Sequence, residues 1–410
     1  MCLNSYFYHL LTKLKSLGPG LLYAGAAIGV SHLVQSTKAG AQYGYVLIIA
    51  IVLAHIFKYP FFALGPRYAK ATGESLVSGY GRMGKWAVIL LLVLTVSTMF
   101  TVQSAVTIVT AGLLQNMGVN LSIPVLSFLV LLICLAILQI GKFSILDNLM
   151  KVIMVVLSIS TVVAFGLSFG VEREVVNGSK AIFDISKDSD LGFLLAFVGW
   201  MPAPLDIAIW HSIWTLAKGK TENSGEFDFK VGFYGTALLG ICFLVLGANT
   251  MYGNGAPLQA SAGGFASQLI ESFTSCLGTW SYWFITVAAF TTMFSTTLTC
   301  FDAMPRVMNH IGVELKLPEY LTTVTFWRVM LCIGTLVVLF FFVSSMREMV
   351  TFATIMSFLT APLLALLSYL LVLKTKSKVL WTELERVLAL VGIVLLSVLC
   401  FLYVKTILYH

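Results

Sequence analysis

Eleven apolar runs, most of them about twenty residues long or longer and separated by short polar connections, dominate this chain of 410 residues. A helix needs about 20 apolar residues to cross the hydrocarbon core of a bilayer. Only helices and closed barrels satisfy their backbone there. The runs lack the period-two alternation of barrel strands, so the sequence predicts helices. They fall at roughly 18–41, 43–66, 86–114, 123–140, 145–170, 191–216, 231–253, 279–304, 323–345, 348–373 and 386–408. Composition closes off the alternatives. Charged residues make up 10% of the chain against about 25% in soluble domains, and the mean hydropathy is +0.94. A soluble enzyme, a disordered regulator and a nucleic-acid binder are disfavoured. The net charge of +7 is no nucleic-acid footprint, because the basic residues sit in short loops. Residues 1–410 read as one membrane domain with the bilayer as its main partner and no obligate protein partner.

Lysine and arginine count sets the expected orientation. With the N-terminus inside, sixteen basic residues collect on the inner loops and six on the outer ones. An odd number of spans then puts the C-terminus outside. The first dozen residues carry no Ala-x-Ala-like cleavage site and read as an uncleaved signal anchor. The two longest connections run from Glu172 to Asp190 and from Asn254 to Gly278. Within the second, Phe265 to Phe273 is amphipathic and is expected on the membrane surface. The seven cysteines are scattered without a C-x-x-C pair and read as small apolar fillers.

Two spans are poor helices in their middles. The first carries Gly25 and Gly29, then Val30, Ser31 and His32. Glycine costs about 1 kcal/mol in a helix interior, and the Ser-His pair adds polar groups at membrane depth. The sixth carries Met201-Pro202-Ala203-Pro204-Leu205-Asp206. Its two prolines remove two amide donors and kink or unwind the helix. The breaks lie about 175 residues apart, from Ser31 to Asp206. Interrupted helices at corresponding positions of two halves point to a transporter built from inverted repeats, with its site at the breaks. Enzyme motifs are missing: there is no H-E-x-x-H, G-x-S-x-G or G-x-G-x-x-G. Gly219-Lys220-Thr221 ends like a phosphate loop, but Trp214 stands at the position of the first glycine.

Ionisable residues inside a span default to a functional reading, because each costs at least about 2.5–3.5 kcal/mol at the bilayer centre. Asp206 either binds a cation or carries a coupling proton, or else pairs with an arginine or caps the second half-helix. His32 reads as a soft ligand or pH-sensitive group, or as a hydrogen-bonded structural histidine. His211 extends a proton path from Asp206 or bonds a nearby carbonyl. His55 and Lys58 share a face of the second span, and Lys58 pairs with Asp206 or Asp147 or snorkels. Asp147, Lys151, Asp302 and Arg328 are expected to tie helices together or meet headgroups. The tryptophans at 200, 210 and 214 read as packing and interfacial anchors.

Parts of the chain resemble the Nramp-type divalent-metal transporters. The resemblance is carried by Gly18-Pro19-Gly20 through Gly40-Ala41-Gln42-Tyr43-Gly44-Tyr45 and by Lys58-Tyr59-Pro60 through Thr72-Gly73-Glu74-Ser75-Leu76. His211-Ser212 and Phe294 to Thr299 fit more loosely. The resemblance implies a leucine-transporter-like fold, all α-helical, with two inverted five-helix repeats plus an eleventh helix. The repeats would span about 18–170 and 191–373 and the extra helix about 386–408. It also implies a bacterial inner membrane. The family's Asp-Pro-Gly-Asn segment is replaced here by Gly29, Val30, Ser31 and His32. Its Met-Pro-His segment aligns with Met201-Pro202-Ala203 in one register. In the other, Asp206 falls on the first histidine and Pro204 on the methionine. The third span lacks the family's acidic proton route.

The expected substrate site comprises Ala27, Gly29, Ser31, His32, Met201, Pro204 and Asp206. His32, Met201 and Asp206 supply the side chains toward a metal, with freed carbonyls near Ala27 and Met201. Asp206, His211 and His55 form the expected proton path. The metal is cargo, a proton is the candidate coupling ion, and no cofactor is expected. The alternative cargo is a small organic solute such as an amino acid, held at the positive ends of the half-helices, or a monovalent ion.

Overall fold

A computed structural model describes residues 19–140, 143–171, 181–218, 225–253, 259, 261–341, 346–375 and 380–409. For 143–151, 153, 225 and 406–409 only the backbone is described. The described residues are helical and contain no strand. Eight helices are long and apolar enough to cross a bilayer unbroken. The fifth span (Phe143–Leu167) and the two broken spans complete a set of eleven. The first dozen residues, the Gly219-Lys220-Thr221 segment and the side chains of Asp147 and Lys151 lie outside the described residues.

Span limits depart from the sequence reading where turn chemistry overrides hydropathy. The first span ends at Tyr43 because Gly44 takes φ of 62°, a left-handed conformation suited to glycine. The second span therefore starts at Ile48 and runs through Pro60 and Pro66 to Thr72. Each proline leaves the carbonyl four residues before it, that of Ile56 or Phe62, without its amide partner. The Trp381 indole donates to the Pro60 carbonyl at 2.8 Å. The eighth span continues past Pro305 to Glu314. The amphipathic segment is a helix, Ala262–Leu277, but its apolar face does not lie on lipid. Phe265, Leu269, Ile270 and Phe273 are buried, and Ala262 stands against Gly112 of the third span, where a Cβ would come within 2.6 Å of it.

The first and seventh spans pack backbone to backbone. A Cβ on Gly40 would stand 1.9 Å from the Leu244 carbonyl, and one on Gly247 would stand 2.2 Å from the Thr37 carbonyl. Gly20 and Gly232 meet in the same way near the other end. Such contact is how membrane helices gain dispersion energy without a hydrophobic driving force.

The antiparallel order of the spans gives the molecule two unlike ends. One holds a vestibule of about 1280 Å³ bordered by Gln35, Tyr43, Asp190, Glu271, Arg347 and Thr351. Polar ties lace the other. Asp228 accepts from the Gly20 amide at 2.8 Å, and Arg67 reaches Glu385 at 2.9 Å and Glu226 at 3.3 Å. Asp302, 1% exposed, binds Arg306 at 2.8 Å and Arg328 at 3.0 Å and accepts from the Trp214 indole at 3.4 Å. Asp302 and Arg328 thus tie the eighth span to the ninth. Trp200, Trp210 and Trp214 are buried, with Trp210 and Trp214 edge to face at 6.1 Å. The six described cysteines are free thiols.

Candidate functional site

Both breaks form where the sequence weakens the helix, and each frees main-chain oxygens. In the first span the α-helix Pro19–Ala27 stops, Gly29 swings out to φ −141°, ψ −122°, and the chain resumes as a π-helical segment, Val30–Ser36. Gly29 is needed for proximity, since a Cβ there would stand 2.6 Å from the Thr296 hydroxyl of the eighth span. That hydroxyl donates within reach of the Gly25 carbonyl at 3.1 Å and the Ile28 carbonyl at 3.4 Å. The Ala27 carbonyl accepts from the Ser31 hydroxyl at 2.5 Å and faces His32 Nδ1 at 3.1 Å.

In the sixth span the first half-helix, Asp188–Trp200, gives way to extended backbone at Met201, and the second half starts at Ile207. A helix end leaves up to four carbonyls without intrahelical partners. Here the Lys58 ammonium from the second span takes them. Its Nζ lies 2.6 Å from the Val198 oxygen, 3.0 Å from that of Gly199 and 3.0 Å from that of Met201. Lys58 is 2% exposed. It therefore does not snorkel, and among the described residues it forms no ion pair with Asp206.

The expected site residues fall into three places. His32 and Met201 come together against the seventh span: a Cβ on Gly240 would stand 3.4 Å from Met201 Sδ and 3.6 Å from His32 Nε2. The same imidazole nitrogen meets the Thr236 carbonyl at 3.0 Å, and the Thr236 hydroxyl lies 3.3 Å from His55 Nε2. One threonine thus bridges the two histidines, while His55 Nδ1 reaches the Ile51 carbonyl at 2.7 Å. Ala27, Ser31 and Pro204 line a separate cavity of about 20 Å³ with Trp210, Thr296 and Cys300. That volume suits one water or one small ion. Asp206 faces a third cavity of about 10 Å³ with Thr95, Thr98, Ser357 and Thr360. Its Oδ1 is buried without a hydrogen-bond partner. His211 lies apart, stacked on Tyr23 at 5.7 Å and beside Phe229, its Nδ1 unbonded.

Among the described residues no three His, Cys, Asp or Glu side chains converge to hold a metal. What converges is softer: main-chain oxygens, one thioether and one imidazole. Sequence reasoning passes over Thr236 and Gly240, and takes Thr296 only as part of the Phe294 to Thr299 resemblance, not as a site residue. A threonine or glycine in an apolar run carries no signal of its own, and these three matter through what lies across from them.

A helical chain with eleven spans among its described residues, broken in the first and sixth and open to one side, has the leucine-transporter-like fold of membrane transporters. Solved structures agree. An Eremococcus coleocola manganese transporter, crystallised with an aromatic bis-isothiourea compound, superposes with a TM-score of 0.68 at 13% identity, covering 97% of this chain and 87% of that one. The nucleobase-cation-symport-1 family transporter Mhp1, in a closed conformation with bromovinylhydantoin bound, gives 0.56 at 13% identity over 95% and 93%. An uncharacterized protein of Pasteurella multocida is 36% identical over 406 residues, 94% of this chain and 92% of its own length. The natural resistance-associated macrophage protein-like family matches residues 20–409. The chain belongs to the Nramp family.

Proposed function

We propose that this protein is a secondary transporter that carries a divalent metal ion of the manganese or iron class across a bacterial inner membrane by alternating access. The observation that carries the reading is the meeting of the two breaks in an Nramp chain. It brings the Met201 sulfur and the His32 imidazole to one glycine of the seventh span, each within 3.6 Å of where a Cβ on Gly240 would stand. Thioether and imidazole suit a borderline transition metal better than magnesium, which demands oxygen ligands. With no carboxylate beside Met201, the ion would keep part of its hydration shell and bind weakly. In this reading the vestibule faces outward and the laced end faces the cytoplasm, in keeping with the loop-charge bias, and residues of about 18–170 and 191–373 form the two repeats. Asp206, whose Oδ1 has no partner, is the proposed carrier of a coupling proton. His55 and His211 belong to separate hydrogen-bonded and aromatic surroundings and would act only after rearrangement. Manganese uptake into proteoliposomes tests the reading, with Met201→Ala and Asp206→Asn as variants. Saturable flux lost in Met201→Ala supports it, and absence of metal flux in the wild type rejects it.

One observation favours the second cargo class. A cavity of about 20 Å³ that shares Gln35, Lys38, Arg347 and Thr351 with the vestibule is lined, among the described residues, by no carboxylate. Two cations there suit a carboxylate-bearing solute. Competition by a panel of amino acids in the same flux assay separates the two cargoes.

A further inference from the structure

Each break should expose carbonyl oxygens to a transported cation, yet at the sixth break the chain has filled that position itself. Lys58 offers three N–H donors, and the end of the first half-helix offers three oxygens, those of Val198, Gly199 and Met201, at 2.6, 3.0 and 3.0 Å. Donors and acceptors match in number. Among the described residues no carboxylate joins the group: none of their ion pairs includes Lys58. Its positive charge is met by main-chain dipoles at the negative end of a helix, which is how a partly dehydrated monovalent cation is held. His55, one turn away on the same helix, turns its nitrogens to Ile51 and Thr236 and leaves this nest alone. The residue that ends the nest, Met201, also presents its sulfur toward Gly240 and His32.

We propose that the Lys58 ammonium is a tethered cation occupying a monovalent-cation site built by the carbonyls of Val198, Gly199 and Met201 at the sixth break. The inference rests on the reading of the breaks as the transport site. It makes a further statement: this chain carries at that position, covalently, the charge that a bound sodium or potassium ion would supply. Removing the ammonium takes the donor from the Gly199 and Met201 oxygens, leaves the Val198 oxygen only the Met201 amide at 3.3 Å, and opens a cavity of the right polarity for such an ion.

The test is thermal melting of the full-length protein in detergent. Wild type, Lys58→Met and Lys58→Gln are compared in N-methylglucamine buffer with added sodium or potassium chloride. The proposal predicts that Lys58→Met melts below wild type without alkali cations. Sodium or potassium then raises its melting temperature by a few degrees with saturation, while wild type stays flat. Lys58→Gln, which returns donors without charge, should show a smaller but still saturable rise. A folded Lys58→Met no more responsive to sodium or potassium than wild type overturns the proposal. So does failure of both variants to fold in every cation tested, because the nest would then need the lysine itself. Folding of a variant only with alkali cations present supports it. The readout involves no transport, so a wild type that moves no metal would reject the metal reading and leave this proposal standing.

Discussion

At the scale of single residues, the polar groups within the bilayer are distinguished by what stands opposite them. His32 is fully buried, and its two nitrogens meet the Ala27 and Thr236 carbonyls. Cutting it back to alanine removes a fully buried ring, although the Ala27 carbonyl keeps the Ser31 hydroxyl. His32→Ala should therefore lower stability by about 0.5–3 kcal/mol, the usual range for a disruptive substitution, seen as a lower melting temperature in detergent. An unchanged melting temperature would mean that the break does not depend on the imidazole. Asp302 is held by two arginines from two spans. Removing one partner of a buried ion pair costs about 3–5 kcal/mol in soluble proteins, since the other charge stays behind. Asp302→Asn is expected to destabilise strongly, and adding Arg328→Met should recover part of the loss. Additive losses in the double variant would show that the pair is not coupled.

At the scale of elements, hydropathy made the spans legible and main-chain contacts did not show. The run containing Gly29-Val30-Ser31-His32 and the run containing Met201-Pro202-Ala203-Pro204 announce their breaks through residue types that helices tolerate poorly. Lys58 was visible as a charge at membrane depth, but its partners were not, because a carbonyl oxygen has no letter in a sequence. The helix Ala262–Leu277 was read as lipid-facing for a similar reason. Its apolar stripe was plain, whereas the third span that covers it was known only in three dimensions. Glycines divide in the same way. Gly40 touches the Leu244 backbone, while Gly235 has nothing within 4 Å of an added Cβ. Gly40→Val should part the first and seventh spans and abolish monodisperse expression. Gly235→Ala should be tolerated, and stabilising by up to about 1 kcal/mol through helix propensity. Equal behaviour of the two in size-exclusion profiles would contradict the backbone-to-backbone packing.

The whole molecule has a wide vestibule at one end and a laced, closed layer at the other. The loop-charge bias assigns the open end to the outside. A cysteine at Thr351, which borders the vestibule, should react with an impermeant thiol reagent added to intact cells. One at Glu314, at the far end of the eighth span, should react only in opened membranes. The reverse pattern would invert the topology and the loop-charge argument with it. The central claim is that the meeting of the two breaks is where the cargo binds, and manganese flux into proteoliposomes tests it most directly. The account predicts saturable uptake by the wild type and its loss in Met201→Ala, a variant that removes only a thioether from the meeting point. Undiminished uptake in folded Met201→Ala protein would place the cargo elsewhere and contradict the account.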